Sequence, residues 1–350
     1  MGRAGARLAI AAAVAVACVT DAAPGRSVEA QKRQQLRVVG GVGYRQFMRI
    51  NVWLADNLAA RPDAPQIWFH HHLTGRGFRD SVLMLASGEA ELALVNARAV
   101  AAMAVRGRGM FDRPITNLRA IAALPHRDWT LFAVDATLGV RSFAHIAARR
   151  VPLKLTTGFL DGDSAVGFIA RELFRRHGVP FERLEEWGGR VIPAGNSETR
   201  EAMVTGRADA VLQEGARGEE WEEMARKRPV VFLSMDRKVA DAIEQELGFG
   251  SIEVPAGYYP GQTEPFLAPD FSDWLICVRD DLPEPLAYWL AQVAVEERQK
   301  LDREYSTESP RYTSINYPLD PRKLADTAPV PLHPGAARYY REHQITPESR

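Results

Sequence analysis

Three stretches of the sequence carry groups that could do chemistry. Gly40-Gly41-Val42-Gly43-Tyr44-Arg45 and Thr74-Gly75-Arg76-Gly77-Phe78-Arg79 each follow an apolar run and open a helical pattern. Glycine turns of that kind leave backbone N–H groups and positive helix ends pointing out of a sheet, where they hold anions such as carboxylates. Arg45, Arg76 and Arg79 add guanidiniums suited to gripping a carboxylate through paired hydrogen bonds. The plainer alternatives are tight turns for the loops and solvated surface charge for each arginine. Neither loop has the third glycine of a dinucleotide fingerprint, because Gln46 and Asp80 stand in its place, so no cofactor is expected.

Gly162-Asp163-Ser164-Ala165-Val166-Gly167 superficially matches a nucleophile elbow. The elbow needs glycine where Val166 stands, and no Asp and His follow in a workable order. Ser164 therefore reads as a helix cap whose neighbouring amides face a ligand. His70-His71-His72 would set two imidazoles on one face of a strand, as in some zinc sites; no third ligand stands out, and no metal is expected. With no Walker loop, HExxH or cysteine-rich spacing either, the chemistry on offer is binding and not catalysis. An exported hydrolase using Ser164 is the lesser alternative.

Positioning these groups requires strands that alternate with helices. Leu36–Val39, Ile67–Phe69 and Leu92–Val95 read as strands, each followed by helical spacing such as Phe47, Ile50, Leu54 and Leu58. Leu118–Leu124 and Thr130–Val134 close this first unit, and the pattern restarts at Val151–Leu155. A helix after Ser164 carries Val166, Ile169, Leu173 and Phe174. Further strands are expected at Ala208–Leu212, Val230–Leu233 and Trp274–Val278, and a long helix from Pro283 to about Arg303. The stretch from Pro255 to Pro269 is rich in Pro, Gly and Tyr and suits an irregular crossover. This order predicts an α/β protein of two lobes, each a mostly parallel sheet flanked by helices, the chain leaving the first lobe and returning to it.

Composition narrows the class. The 350 residues carry 44 Lys+Arg against 44 Asp+Glu, which argues against a general nucleic-acid binder. Arg3 and Arg7 precede a small apolar run from Leu8 to Val19, then Ala22, Ala23 and Pro24, so residues 1–26 read as a signal peptide. Its removal takes three arginines and one aspartate and leaves a mature chain of net charge −2. Ala15-Val16-Ala17-Cys18 lacks the usual leucine of a lipoprotein box, so anchoring at Cys18 is not expected. The second cysteine, Cys277, sits in the apolar run Trp274–Val278 and reads as a small core residue with a free thiol. A periplasmic, monomeric protein free of disulfides is expected.

Several segments in order resemble the TAXI-type solute-binding receptors of tripartite ATP-independent periplasmic (TRAP) transporters. The strongest is Pro331-Leu332-His333-Pro334-Gly335-Ala336-Ala337-Arg338-Tyr339-Tyr340-Arg341-Glu342. Leu85-Ala86-Ser87-Gly88-Glu89-Ala90-Glu91-Leu92-Ala93-Leu94-Val95, Leu118-Arg119-Ala120-Ile121-Ala122, Gly206-Arg207-Ala208-Asp209-Ala210-Val211 and Asp281-Leu282-Pro283-Glu284 add to it. The likeness runs from about Leu36 to Glu342. It implies a type II-like periplasmic-binding-protein fold closing on a small organic anion in a cleft between lobes, with a membrane permease as partner. The lobes are expected at residues 36–135 with 256–350, and at 136–255, hinged near Ala133–Ala136 and Pro255–Pro260. The pocket that the resemblance implies comprises Gly43, Tyr44, Arg45, Thr74, Gly75, Arg76, Gly77, Arg79, Ser81, Asn96, Asp161, Asp163 and Ser164, with Tyr258 able to pack on an apolar part of the solute. The chain departs from similar receptors at Tyr44-Arg45, Gly77–Ser81, Asn96 and Asp161–Ser164, so its solute need not be the usual glutamate-like or dicarboxylate ligand. A periplasmic sensor feeding a signalling receptor would use the same fold.

Overall fold

The structure is a computed structural model that describes residues 34–41, 45–62, 64, 67–74, 78–215, 218–306 and 318–347. The expected leader over residues 1–26, Cys18 included, lies outside the described residues. Among the described residues no helix is long and apolar enough to cross a membrane.

Strands β1 (Gln34–Gly41), β2 (Ile67–Thr74), β3 (Leu92–Asn96) and β4 (Leu118–Leu124) alternate with helices α1 (Arg45–Ala59), α2 (Phe78–Ser87) and α3 (Arg98–Arg106). The helices bury stripes at helical spacing: Ile50, Leu54 and Leu58 on α1, and Phe78, Val82 and Leu85 on α2. β3 is buried at all five residues, as a central strand covered on both faces must be. The chain then makes β5 (Thr130–Asp135), α4 (Phe143–Arg149), β6 (Lys154–Thr157), α5 (Ala165–Arg176), α6 (Phe181–Glu186) and β7 (Arg190–Pro193). α7 (Asn196–Val204), β8 (Ala210–Glu214), α8 (Gly218–Lys227), β9 (Val230–Leu233) and α9 (Arg237–Leu247) follow. An antiparallel pair, β10 (Ser251–Val254) and β11 (Phe266–Pro269), precedes β12 (Trp274–Arg279). The chain ends in α10 (Glu284–Glu296), α11 (Arg298–Tyr305), α12 (Pro321–Ala325) and α13 (Pro334–Glu342).

Two five-stranded sheets result, with orders β2-β1-β3-β12-β4 and β7-β6-β8-β5-β9. In the first, β1 is parallel to β2 and β3, while β12 runs antiparallel to β3 and β4. In the second, β6 is parallel to β7 and β8, while β5 runs antiparallel to β8 and β9. The two sheets share one plan: three parallel strands, an antiparallel strand delivered by a crossover, then a fourth. The α/β class and the helix-flanked, mostly parallel sheets match the expectation from sequence.

The assignment of β5 does not. Thr130–Val134 was expected to close the first unit, yet it pairs with Ala210–Glu214 and Val231–Leu233 of the second sheet. An all-apolar strand carries no mark of its partners, and pairing alone decides its sheet. The connections between sheets therefore fall at 125–129 and 270–273, in place of 133–136 and 255–260. They run side by side: Phe271 N donates to Asp128 O at 3.0 Å, Asp273 N to His126 O at 2.7 Å, and Trp129 bridges Asp270. The stretch expected to be irregular contains β11, and the helix expected over 283–303 breaks at Glu297 into α10 and α11.

The C-terminal segment completes the first sheet. Leu332 bridges Ala120, and the Tyr340 hydroxyl donates to Ile121 O at 3.0 Å. α13 lies so close to α10 that a Cβ on Gly335 would stand 2.2 Å from Glu284 O, which is why glycine occupies that position. One apolar cluster runs from the first sheet through to the Phe143–Phe174 face of the second; another, around Trp129, Trp221 and Tyr259, backs the opposite face of the second sheet.

Candidate functional site

Both sheets turn the carboxyl ends of their parallel strands toward the crossovers. Asn96, the last residue of β3, pairs with Trp274, the first after one crossover. Glu214, the last residue of β8, pairs with Thr130, the first after the other. Helix starts follow these ends, with α2 after β2, α3 after β3 and α5 after β6; in open α/β sheets ligands sit beyond such strand ends.

Of the expected site residues, Gly43, Tyr44, Gly75, Arg76 and Gly77 lie outside the described residues, and Arg45 and Thr74 are described in backbone only, at the start of α1 and the end of β2. Arg79 and Asp163 meet directly. The Arg79 guanidinium places Nη1 3.2 Å from Asp163 Oδ1 and donates from Nε to Met110 O at 2.7 Å. This ion pair joins α2, on the first sheet, to the loop before α5, on the second. Asp80 shares a side-chain hydrogen bond with Asp163; burial and that contact hold the Asp80 carboxyl above the usual carboxylate range. Asp163 N in turn donates to Asp161 Oδ1 at 3.2 Å.

Ser164 behaves as a cap. Its Oγ accepts from Gly167 N at 3.2 Å, and its side chain is buried at the start of α5. The loop from Gly158 folds tightly over this turn: a Cβ on Gly158 would lie 2.7 Å from Ser164 Oγ, and one on Gly167 only 1.9 Å from Phe159 O. Ser81 is fully buried in α2. Tyr258 packs edge-on against Trp129 and Tyr259, with centroids 5.0 and 4.9 Å away, in the aromatic cluster behind the second sheet. Among the described residues no three His, Cys, Asp or Glu side chains group as a metal site, and the side chains of His71 and His72 lie outside that set.

The crossovers also bury polar groups, all but Asn96 passed over by the sequence reading. His126 and Asp128 are 2% and 1% exposed, with Nε2 and Oδ2 3.5 Å apart, and the His126 ring lies against Trp274. Arg98 donates to Asp273 Oδ2 at 2.8 Å and to Ala328 O at 2.9 Å, which fastens the start of α3 to the second crossover. Asn96 Oδ1, Thr130 Oγ1 and Thr157 Oγ1 are buried with no hydrogen-bond partner among the described residues. Charged residues breaking two apolar runs, His126-Arg127-Asp128 and Asp270–Asp273, were the available signal for the crossovers; two strand-end threonines offered none.

Solved structures of similar fold include PhnD1 from Prochlorococcus marinus in complex with methylphosphonate, at 14% identity and a TM-score of 0.46, covering 76% of this chain and 86% of that one. MatC from Rhodopseudomonas palustris with bound malate is 12% identical at a TM-score of 0.47, covering 89% and 98%. The periplasmic binding protein BugD is 10% identical at 0.48, covering 90% and 99%. No curated protein matches the sequence. The profile of the NMT1-like family matches residues 74–343, from the end of β2 to just past α13. The chain therefore belongs to the NMT1-like family.

Proposed function

We propose that the protein is a periplasmic solute-binding receptor that captures a small organic anion, a carboxylate or amino-acid-like solute, and delivers it to the permease of a TRAP-type transporter. The observation that carries this reading is the convergence of the two sheets' strand ends on a pair of short antiparallel crossovers, with one ion pair, Arg79 to Asp163, spanning the two. Ligands of open α/β sheets sit beyond the carboxyl ends of the strands, and two bodies joined by short crossovers can close on a solute held there. The reading takes residues 36–129 with 270–350 as one lobe and 130–269 as the other. The reading assigns Arg45, Arg76 and the two glycine loops to the anionic end of the solute, and Asn96, Asp161 and Asp163 to its other groups. Ser164 as a helix cap supports capture without chemistry. The ordered resemblances, above all residues 331–342, favour the TAXI type of receptor.

A calorimetric and thermal-shift survey of organic acids and amino acids on the exported protein tests the reading. Saturable binding of at least one, with a smaller radius of gyration in the bound form, is expected. Failure of every acid to bind, or recovery of the protein only from the cytoplasm with Met1 intact, would refute it. Loss of uptake of the bound acid on deletion of the permease gene tests the TRAP assignment separately.

A further inference from the structure

Several exposed cations around the second sheet carry an acidic partner: Arg171 has Glu182, Arg175 has Glu172, Arg226 has Glu222 and Lys227 has Glu223. One stretch departs from that habit. Residues 136–160 hold Arg141, Arg149, Arg150 and Lys154 and no acidic residue. All four are exposed, as is Arg190, and among the described residues none of the five forms an ion pair. They gather at one end of the sheet. β6 and β7 are parallel and begin there, with Lys154 and Arg190 as register partners, so their Cα atoms stand about 4.8 Å apart on neighbouring strands. Arg190 N donates to Leu153 O at 2.8 Å. β5 runs the other way, ends there at Asp135, and leads through residues 136–140 to Arg141 and α4. The last turn of α4 comes back to the same end, where Arg149 Nη1 donates to Leu138 O at 3.2 Å and to Gly139 O at 3.1 Å. It is the end opposite the crossovers, because the carboxyl ends of the parallel strands face those.

The acids within this end are already engaged. Asp209 accepts from Lys154 N at 2.7 Å, and Asp135 accepts from Arg228 and from Thr137 N. Glu185 and Glu186, at the end of α6, stand at its margin without an ion pair, which leaves five cations against two carboxylates. What the surface lacks decides what it fits. Between Arg141 and Lys154 the exposed side chains besides the cations are Ala144, His145, Ala148 and Pro152, while Phe143, Ile146, Val151 and Leu153 are buried. A protein partner is normally anchored by aromatic or large apolar side chains at a dry centre, and this stretch offers none. Long, hydrated, unpaired cations suit a surface of diffuse negative charge, where each adds attraction without a fixed geometry. The balance of charge over the whole chain does not oppose this, because salt screens charges beyond about 8 Å and only the nearest end is felt.

We propose that this end of the second sheet is a membrane-contact surface, on which Arg141, Arg149, Arg150, Lys154 and Arg190 rest against anionic lipid headgroups. The end that bears the crossovers is then turned away from the lipid. The inference does not depend on which solute the protein carries.

The test sediments the exported full chain with vesicles of phosphatidylcholine alone and of phosphatidylcholine with phosphatidylglycerol in equal parts, at low and at high salt. Binding to the anionic vesicles only, and at low salt only, is expected. Each cation near the surface strengthens partitioning about fivefold, so Arg141→Gln, Arg150→Gln and Lys154→Gln together should weaken it about a hundredfold. Among the described residues these three side chains make no hydrogen bond or ion pair, so the variant should keep the parent's Tm; Arg149 stays in place because it holds Leu138 and Gly139. Removing the same charge from α12 and α13, with Arg322→Gln, Arg338→Gln and Arg341→Gln, should leave binding nearly unchanged. Equal binding to both kinds of vesicle, binding that survives high salt, or an equal loss in the two triple variants overturns the proposal. Failure to bind either vesicle overturns it as well, and salt-sensitive capture by polyglutamate in that case would assign the surface to an acidic protein instead.

Discussion

Breaking the contact between Arg79 and Asp163 should release the two sheets from each other. At 3.2 Å, two unit charges attract by about 5 kcal/mol at an effective dielectric constant near 20. Desolvation and side-chain ordering offset most of that, and the pair is partly exposed, at 29% and 22%, so a net contribution of about 1–2 kcal/mol is expected. That corresponds to roughly a 5–30-fold change in the ratio of closed to open forms. Small-angle scattering of the ligand-free chain should give a larger radius of gyration for Arg79→Gln and for Asp163→Asn. The double variant should be no larger than either single one, because the two residues then share one interaction. Asp80 complicates the cycle: it shares a hydrogen bond with Asp163, so Asp163→Asn also relieves a carboxyl pair. Repeating the cycle with Asp80→Asn throughout removes that contribution. The exchange Arg79→Asp with Asp163→Arg should recover part of the compact form. Fully additive changes, or a radius that none of the variants moves, would refute the claim that this pair holds the sheets together.

Three further outcomes are expected. His177 stacks on Phe143 at 3.9 Å, donates from Nδ1 to Leu173 O and accepts at Nε2 from Asp236 N; burial lowers its pKa, so its contribution is complete above the unfolded value near 6.5 and is lost as pH falls through the lower folded value. Melting curves should lose stability from pH 7 to 5, and His177→Gln should start lower and flatten, keeping only the slope due to His333, which burial also lowers. Gly335→Ala should cost about 2–3 kcal/mol in denaturant unfolding, since its methyl would meet Glu284 O at 2.2 Å; an unchanged midpoint would mean that α13 rides freely on α10. Cys277 is fully buried and its thiol pKa is pushed up by burial, so iodoacetamide should leave the Cys277 peptide unmodified until the protein is unfolded, as mass spectrometry would read.

Residues whose local pattern decides their structure were legible from the sequence. The alternation from Leu36 to Leu124, the Ser164 cap and the buried stripe on α5 all follow from spacing and capping chemistry, which act over a few residues. The partner of β5 was not legible, because Leu131, Phe132, Ala133 and Val134 would suit either sheet equally. Glu297 is an ordinary helix residue, so the break between α10 and α11 left no trace in periodicity. At the candidate site, charge and glycine drew attention to Arg79 and Asp163, but not to their mutual contact, which links residues 84 positions apart. Thr130 and Thr157 look like ordinary strand formers; only burial without a partner distinguishes them.

The place of β12 sets an order of assembly. The second sheet is drawn from one continuous stretch and has all five strands once residue 233 is available. The first sheet lacks its fourth strand until residues 274–279 appear, and until then β3 and β4 are two apolar edges with nothing between them. Such edges invite pairing with the wrong strand or with another chain. The N-terminal part of the polypeptide is therefore the last to settle, and it stays open until nearly four-fifths of the chain has been made. A protein assembled in this sequence remains threadable while it is being synthesised, and its first sheet is sealed only when the C-terminal quarter arrives.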